Sequence, residues 1–141
     1  MAIGLVKRLP FTEFQEAVYN SLSATMTTTI GATENDPYPY LMMSDPVIQQ
    51  PETTKSTPML ECVIQLESYS DSDGLKEAQD ILEEAMVALN ANPIALANNF
   101  DVFEGPVLET ATCGHVYDNQ KQRHFVNGIV RLKWKVADLN T

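Results

Sequence analysis

Residues 59–89 read MLECVIQLESYSDSDGLKEAQDILEEAMVAL. From Leu60 the chain alternates. Leu60, Cys62, Ile64, Leu66 and Ser68 fall on one side, and Glu61, Val63, Gln65, Glu67 and Tyr69 on the other. Period two marks a strand with one buried face. Ser70-Asp71-Ser72-Asp73-Gly74 then supplies turn formers and helix N-cap candidates. From Leu75 the period changes: Leu75, Ala78, Leu82, Ala85 and Leu89 recur at steps of three and four, flanked by Ile81 and Met86. Lys76, Glu77, Asp80, Glu83 and Glu84 fill the opposite side. This predicts an amphipathic helix of about four turns, roughly 24 Å long at ~1.5 Å per residue. Asp71 and Asp73 precede it, where the helix dipole favours negative charge.

Upstream, Phe11, Phe14, Val18 and Leu22 predict a first helix over about Thr12–Ala24, with Thr12 and Gln15 spaced as a capping box. The β-branched run Thr25–Ile30 is either a short strand or the exit from that helix. Pro37 and Pro39 fix an extended entry to a short strand at Tyr40–Ser44, which Asp45-Pro46 closes. The aromatic and proline residues there read as a packed strand entry more readily than as a binding face. Val47–Pro58 has no period and reads as a long loop or floppy hairpin. Loops of this length in compact domains are often functional, so its Gln49, Gln50, Glu52 and Lys55 are candidate contact residues.

Downstream, Asn90-Ala91-Asn92-Pro93 stops the second helix, and Ile94–Ala97 suggests a single turn. Pro106–Asp118 reads as a strand with Val107, Glu109, Ala111 and Cys113 set against Leu108, Thr110 and Thr112, and Gly114 offers a bulge. Asp118–Gln122 is the polar tip of a hairpin. The last strand is clear: Val126, Gly128, Val130, Leu132, Trp134 and Val136 form one face, and Asn127, Ile129, Arg131, Lys133 and Lys135 the other. Residues 1–141 are thus expected to form a single α+β domain, an antiparallel sheet with two helices packed on one face. The face carrying Arg131, Lys133 and Lys135 would be uncovered. If the central strand pairs with the last one, Glu61, Gln65 and Glu67 share that face, each opposite-charge pair contributing a few tenths to ~1 kcal/mol.

Net charge is −10, and its distribution is polarised. Of nineteen acids, all but Asp138 lie between Leu9 and Gln120, a span that holds only two bases, Lys55 and Lys76. Lys121, Arg123, Arg131, Lys133 and Lys135 follow in the last stretch. An acidic body argues against general nucleic-acid binding, which requires phosphate neutralisation. Unlike charges on body and tail can attract within one subunit or between neighbours. No apolar run reaches the ~20 residues of a membrane span. Lys7 and Arg8 are not followed by the apolar core of a signal peptide.

Chemistry is sparse. Cys62 falls on the apolar side of the central strand and reads as a buried reduced thiol. Cys113-Gly114-His115 with His124 makes three possible metal ligands where a structural zinc site wants four, so no metal is expected. There is no nucleophile elbow, phosphate-binding loop, dinucleotide fingerprint or EF-hand. Asp71/Asp73 and Glu83/Glu84 read as solvated acids at a helix start and on a helix surface.

Several motifs together resemble the tail-completion (tail terminator, tail-to-head joining) proteins of long-tailed bacteriophages. They are Tyr38-Pro39-Tyr40-Leu41, the polar loop, the strand ending Leu66-Glu67-Ser68-Tyr69-Ser70, and the helix opening Gly74-Leu75-Lys76-Glu77-Ala78. Asn119–Val136 fits the terminal hairpin, with Arg123 and Phe125 leading into Gly128-Ile129-Val130-Arg131-Leu132. The resemblance spans Phe11 to Val136, and the loop before Met59 and the segment Ala91–Glu104 look long for it. It implies a non-enzymatic virion protein of the tail or neck, assembled in the host cytoplasm and needing no cofactor. It further implies a ring, commonly a hexamer, that caps the tail tube, ends its growth and meets the head-completion (connector) protein. DNA would pass through the lumen without specific binding, past acids that repel it, and no membrane is involved. Arg131, Lys133 and Lys135, with Gln49, Gln50, Glu52 and Lys55, are the candidate ring or tube contacts. Alternatives are a connector stopper, a minor tube protein, or a cytosolic ligand-binding α+β domain.

Overall fold

The computed structural model describes residues 6–26, 30, 38–51, 59–120 and 123–139. Strand β3 (Met59–Ser70) is paired along one edge with β5 (Arg123–Asp138), from Met59 opposite Ala137 to Ser70 opposite Val126. On its other edge β3 carries β1 (Tyr40–Met43) and β2 (Val47–Gln49) end to end. β4 (Phe100–Asp118) lies outside β5. Every strand pairing is antiparallel. Helix α1 (Phe11–Ser23) precedes the sheet, and α2 (Lys76–Ala91) joins β3 to β4. The fold is the α+β antiparallel sheet that the periodicity predicts.

The alternating apolar residues form the core. Leu60, Cys62, Ile64 and Leu66 of β3 and Val130, Leu132, Trp134 and Val136 of β5 are all buried. Phe14 of α1 meets Trp134 edge-on at 5.3 Å between ring centroids. Leu82 of α2 fills the space over Gly128, where a Cβ would lie 2.7 Å from its Cδ1. Trp134 and Gly128 lie six residues apart on one strand, so these two contacts fall on the same side of the sheet. Asn92 ties the helix ends together: its Nδ2 donates to Ser21 O at 3.3 Å and Ala88 O at 3.1 Å, and Ser21 Oγ donates back to Asn92 O.

Both helix starts differ from expectation. α1 begins after Pro10, whose carbonyl accepts from Phe14 N at 2.9 Å, so Thr12 sits inside the first turn and the Thr12–Gln15 capping box does not form. α2 begins after Leu75, again without a side-chain cap. The serines of β3 do the anchoring. Ser68 Oγ donates to Ala78 O at 2.9 Å, and Ser70 Oγ donates to Glu77 and accepts from Ser72 N at 3.1 Å. Buried hydroxyls facing the helix thus replace the acids of the turn as its fixing points.

The predicted loop from Val47 is in part a strand. Val47, Ile48 and Gln49 pair with Val63, Cys62 and Glu61. Three residues are too few to display a period, so their pairing follows from the ladder beside them. Ser44 keeps that edge bonded across the Ser44–Pro46 interruption: its N donates to Gln65 O and its Oγ accepts from Gln65 N, both at 2.9 Å. The remainder of that loop, residues 52–58, lies outside the described residues, as do 27–29 of the Thr25–Ile30 run, expected as a short strand or the exit from α1; Thr25 and Met26 are that exit, both donating to Leu22 O. Ile30 itself makes one parallel bridge to Leu41. Ile94–Ala97 forms no helical turn; the chain reverses at Asn98 and Asn99, both with positive φ.

β4 starts earlier than expected and changes register with β5 three times, between Val102/Glu104, Glu104/Val107 and Leu108/Thr110. Gly114 stays in register opposite Asn127, so the bulge expected there lies upstream instead. The glycine required is Gly105, at φ +124°, where a Cβ would come within 2.9 Å of Lys133 O and of Trp134 Cα. The slips also regroup side chains. Val107 now shares a face with Thr110 and Thr112, and Leu108 with Ala111 and Cys113. The simple alternation read from the sequence fails here because each slip reverses the parity.

Candidate functional site

The sheet has a helix-covered side and an outer side, and β5 directs Arg131, Lys133 and Lys135 outward. On β3 they stand opposite Gln65, Val63 and Glu61, and on β4 opposite Thr110, Val107 and Glu104. Two of the three cations are paired within the chain: Lys135 Nζ with Glu104 at 3.4 Å and Arg131 Nε with Glu109 at 3.7 Å. All four side chains are a third to a half exposed, so each pair contributes at most about 1 kcal/mol. Lys133 has no carboxylate within 4.0 Å among the described residues. It lies between Val63, which is buried, and Val107, which is exposed, with exposed Val47 beyond Val63. The predicted basic face is therefore close to neutral, and Lys133, set among valines, is the one of its three cations without an ion pair among the described residues. The two acids that form ion pairs there, Glu104 and Glu109, come from β4, whose irregular register hides them from a period-two reading, while Glu61 of β3 stands opposite Lys135 as the alternation predicts.

Of the other candidates, Gln49 is exposed opposite Glu61 and so continues the row that holds Lys135 and Glu104. Gln50 is turned back toward the chain, its Oε1 accepting from Val6 N at 3.4 Å. Glu52 and Lys55 lie outside the described residues.

At one end of the outer face four aromatic rings close on each other. Tyr38 stacks on Tyr40 (5.5 Å) and Phe125 (6.0 Å), and Tyr69 meets Tyr40 (4.9 Å) and Phe125 (5.9 Å). Burial, then the nearby Glu67, pushes the Tyr69 phenol up to about 12. Tyr38 and Tyr40 thus form a packed strand entry. Their partners come from distant segments, which the local sequence does not reveal. Phe125 lies just beyond the end of the β3–β5 ladder, so the cluster braces the part of the β4–β5 hairpin that runs past the sheet.

Two features have no counterpart among the expectations. Arg8 ties the N-terminal segment to the end of β5: its Nε donates to Asp138 Oδ2 at 3.2 Å, its Nη1 to Asn98 O at 2.8 Å, and its guanidinium lies 4.2 Å from the Phe100 ring centroid. Asp138 is 3% exposed, and its hydrogen bond raises the Arg8 pKa further. The second feature is β4 itself. Phe103, Val107, Leu108, Val116 and Tyr117 are all exposed, five of the eleven large apolar side chains exposed among the described residues. An exposed apolar edge strand is an uncommon surface for an isolated protein.

The chemistry-bearing residues are spread out. Cys113 stands opposite Gly128 and His115 opposite Val126, while the His124 ring lies 4.8 Å from Tyr117. Burial pushes both free thiols up, Cys62 to about 12. Among the described residues, no three His, Cys, Asp or Glu side chains converge as metal ligands. What the molecule presents is surface: an outer sheet face, two unlike sheet edges and an acidic helix.

Sequence comparison places the chain among tail-assembly proteins. The model of the family described as tail completion protein gp17 matches residues 17–136, from within α1 to near the end of β5, and the chain belongs to that family. The fold is similar to that of a chain in the virion of a native gene transfer agent (GTA) particle, with a TM-score of 0.67 and 15% identity, covering 92% of this chain and 99% of that one. Comparison with curated proteins gives no match.

Proposed function

We propose that the protein is a structural component of a virion tail, acting without catalysis as a ring that caps the tail tube, ends its growth and meets the head-completion protein. The family match across residues 17–136 carries this reading, and the likeness to a virion chain supports it. The surfaces suit the role. A ring needs a heterologous interface, one patch meeting a different patch on the neighbour, and the two sheet edges are unlike. At −10 per chain, a ring lumen lined with acids would repel DNA and let it slide through. Lys133 and Lys135, with Arg131 and Gln49, form the outer-face contact to the neighbour or the tube. Residues 47–58 complete that contact on assembly, and limited proteolysis of free and assembled protein should differ there.

Electron microscopy of the protein mixed with growing tail tubes tests the reading. A cap at one tube end and arrested lengthening are expected. Incorporation along the tube would instead make this a minor tube protein, and indifference to tubes would end the tail reading. Lys133→Glu combined with Lys135→Glu should weaken assembly and capping, with circular dichroism checking that the variant folds; normal tail completion by that variant would remove these residues from the interface.

A further inference from the structure

We propose that two copies of the free protein pair through the Thr110–Asp118 edge of β4, which lies antiparallel to its own copy about a two-fold axis at Gly114. The pair uses none of the outer-face contacts proposed for the ring and does not depend on them. β4 pairs with β5 alone among the described residues, which leaves its other edge without a ladder. Its first half is bulged and carries Pro106, but from Thr110 opposite Arg131 to Asp118 opposite Arg123 the register is unbroken. Those nine residues contain no proline, lysine, arginine or glutamate, and their one acid is Asp118 at the end. Natural edge strands are normally blunted by such residues or by a bulge. Without them, an edge of about 30 Å, at ~3.4 Å per residue, is a template for another strand.

The edge is complementary to itself. With Gly114 at the axis, all nine residues find partners within the same nine. Thr112 meets Val116, a β-branched pair on the outer side. Ala111 meets Tyr117, small against large, and Cys113 meets His115, both pairs on the helix side. Asp118 meets Thr110, so no like charges face each other, and Gly114 brings no side chain to the axis. Val116 and Tyr117, exposed in the single chain, are covered in the pair. Two chains at −10 repel each other, and a strip whose single charge is at its end is where they can meet. An isologous pair needs one surface only, so no second edge has to match.

The helix layer points the same way. A two-fold axis normal to the sheet keeps both helix layers on one side. α2 leaves a recess of about 380 Å³ between itself and β4, lined in part by Leu82, Met86, Ala111 and Cys113. The two recesses then face each other across the joint, and Tyr117 of the second copy, opposite Ala111, stands at the rim of the first. A joint one strand wide falls short of the ~800 Å² per partner of a stable complex, so the pair dissociates on dilution. It shields an edge that would otherwise take up strands at random, without locking it.

Sedimentation velocity over a dilution series, with native mass spectrometry, should show the unmodified protein in monomer–dimer exchange. Thr112→Lys with Val116→Lys, both at exposed positions, should lower the association constant by at least about tenfold, with circular dichroism and thermal midpoint showing the fold retained. Gly114→Cys in a Cys113→Ser background sets two thiols across the axis, at the ~4.5–5.5 Å between Cα atoms that both an antiparallel pair and a disulfide adopt. Mild oxidation should link that variant into a covalent dimer, and Thr110→Cys in the same background should stay unlinked. An unmodified chain that is monomeric at every concentration overturns the pairing, as does a dimer that survives the two lysines or links at Thr110 and not at Gly114. β4 amides that gain protection from hydrogen exchange only on tube ends would give the edge to the tube and overturn it too. The ring is judged separately. A lysine variant that is monomeric yet caps tubes supports the pairing and leaves the ring in place; a chain that pairs through β4 and ignores tubes keeps the pairing and ends the ring.

Discussion

Replacing Gly105 by alanine should cost much more than replacing Gly114, although both lie in β4. At Gly105 the backbone sits at φ +124°, a region that strains any residue with a Cβ by about 1–3 kcal/mol. The new Cβ would also lie 2.8 Å from Trp134 Cδ1, 2.9 Å from Lys133 O and 2.9 Å from Trp134 Cα. Two of those atoms are backbone, so no rotamer change relieves the overlap, and overpacking adds about 1–3 kcal/mol. The sum, about 2–6 kcal/mol, is a large part of an ordinary stability margin of about 5–15 kcal/mol. At Gly114 nothing lies within 4 Å of the added methyl, so Gly114→Ala should stay within about 0.5 kcal/mol. Urea unfolding followed by tryptophan fluorescence measures both, since Trp134 is the protein's single tryptophan and is buried. At a slope of about 2 kcal/mol/M, Gly105→Ala should lower the midpoint by at least about 1 M. Equal midpoints for the two variants would refute the placement of the close approach between β4 and β5.

Further outcomes follow from the core and the titrating groups. Gly128→Ala brings a Cβ within 2.6 Å of Ser68 Oγ, which is held by Ala78 O, and should cost about 1–3 kcal/mol in urea unfolding; adding Ser68→Ala should recover part of it, and simple additivity would argue against the contact. Asn92→Ala should cost about 1–2 kcal/mol by freeing Ser21 O, and an unchanged melting curve would count against the bracket between the helices. At pH 8, alkylation of the folded protein should label Cys113 first and leave Cys62, 0% exposed and shifted to about 12, until unfolding; equal rates would contradict the burial of β3. Ultraviolet titration should show one phenol ionising near 12, lost on Tyr69→Phe. Because that phenol keeps its proton longer in the folded state, stability is full below pH 10 and falls between pH 10 and 12; a rise across that interval would contradict the packed aromatic cluster.

How far the fold can be read from the sequence varies along the chain, for physical reasons. β3, α2 and β5 pack one side against a single core, so their apolar residues keep a clean period and their ends are placed within a few residues. β2 escapes because three residues cannot show a period. β4 escapes for another reason: it slips three times against β5, and each slip exchanges its two faces. That strand also carries Glu104 and Glu109, which pair with Lys135 and Arg131, so the outer face reads as basic from β5 alone and near neutral in the folded chain. Both helix caps are misjudged because local capping signals at Thr12 and at Asp71–Asp73 yield to tertiary anchors, the carbonyl of buried Pro10 and the hydroxyls of Ser68 and Ser70. Arg8 and Asp138 stand 130 residues apart, and no periodicity links them.

Counting copies of the protein in purified virions tests the central claim most directly. Quantitative mass spectrometry against the tube protein should give one ring's complement per particle, unchanged in mutants with longer or shorter tails. A copy number that grows in proportion to tail length would contradict the cap and make the protein part of the tube.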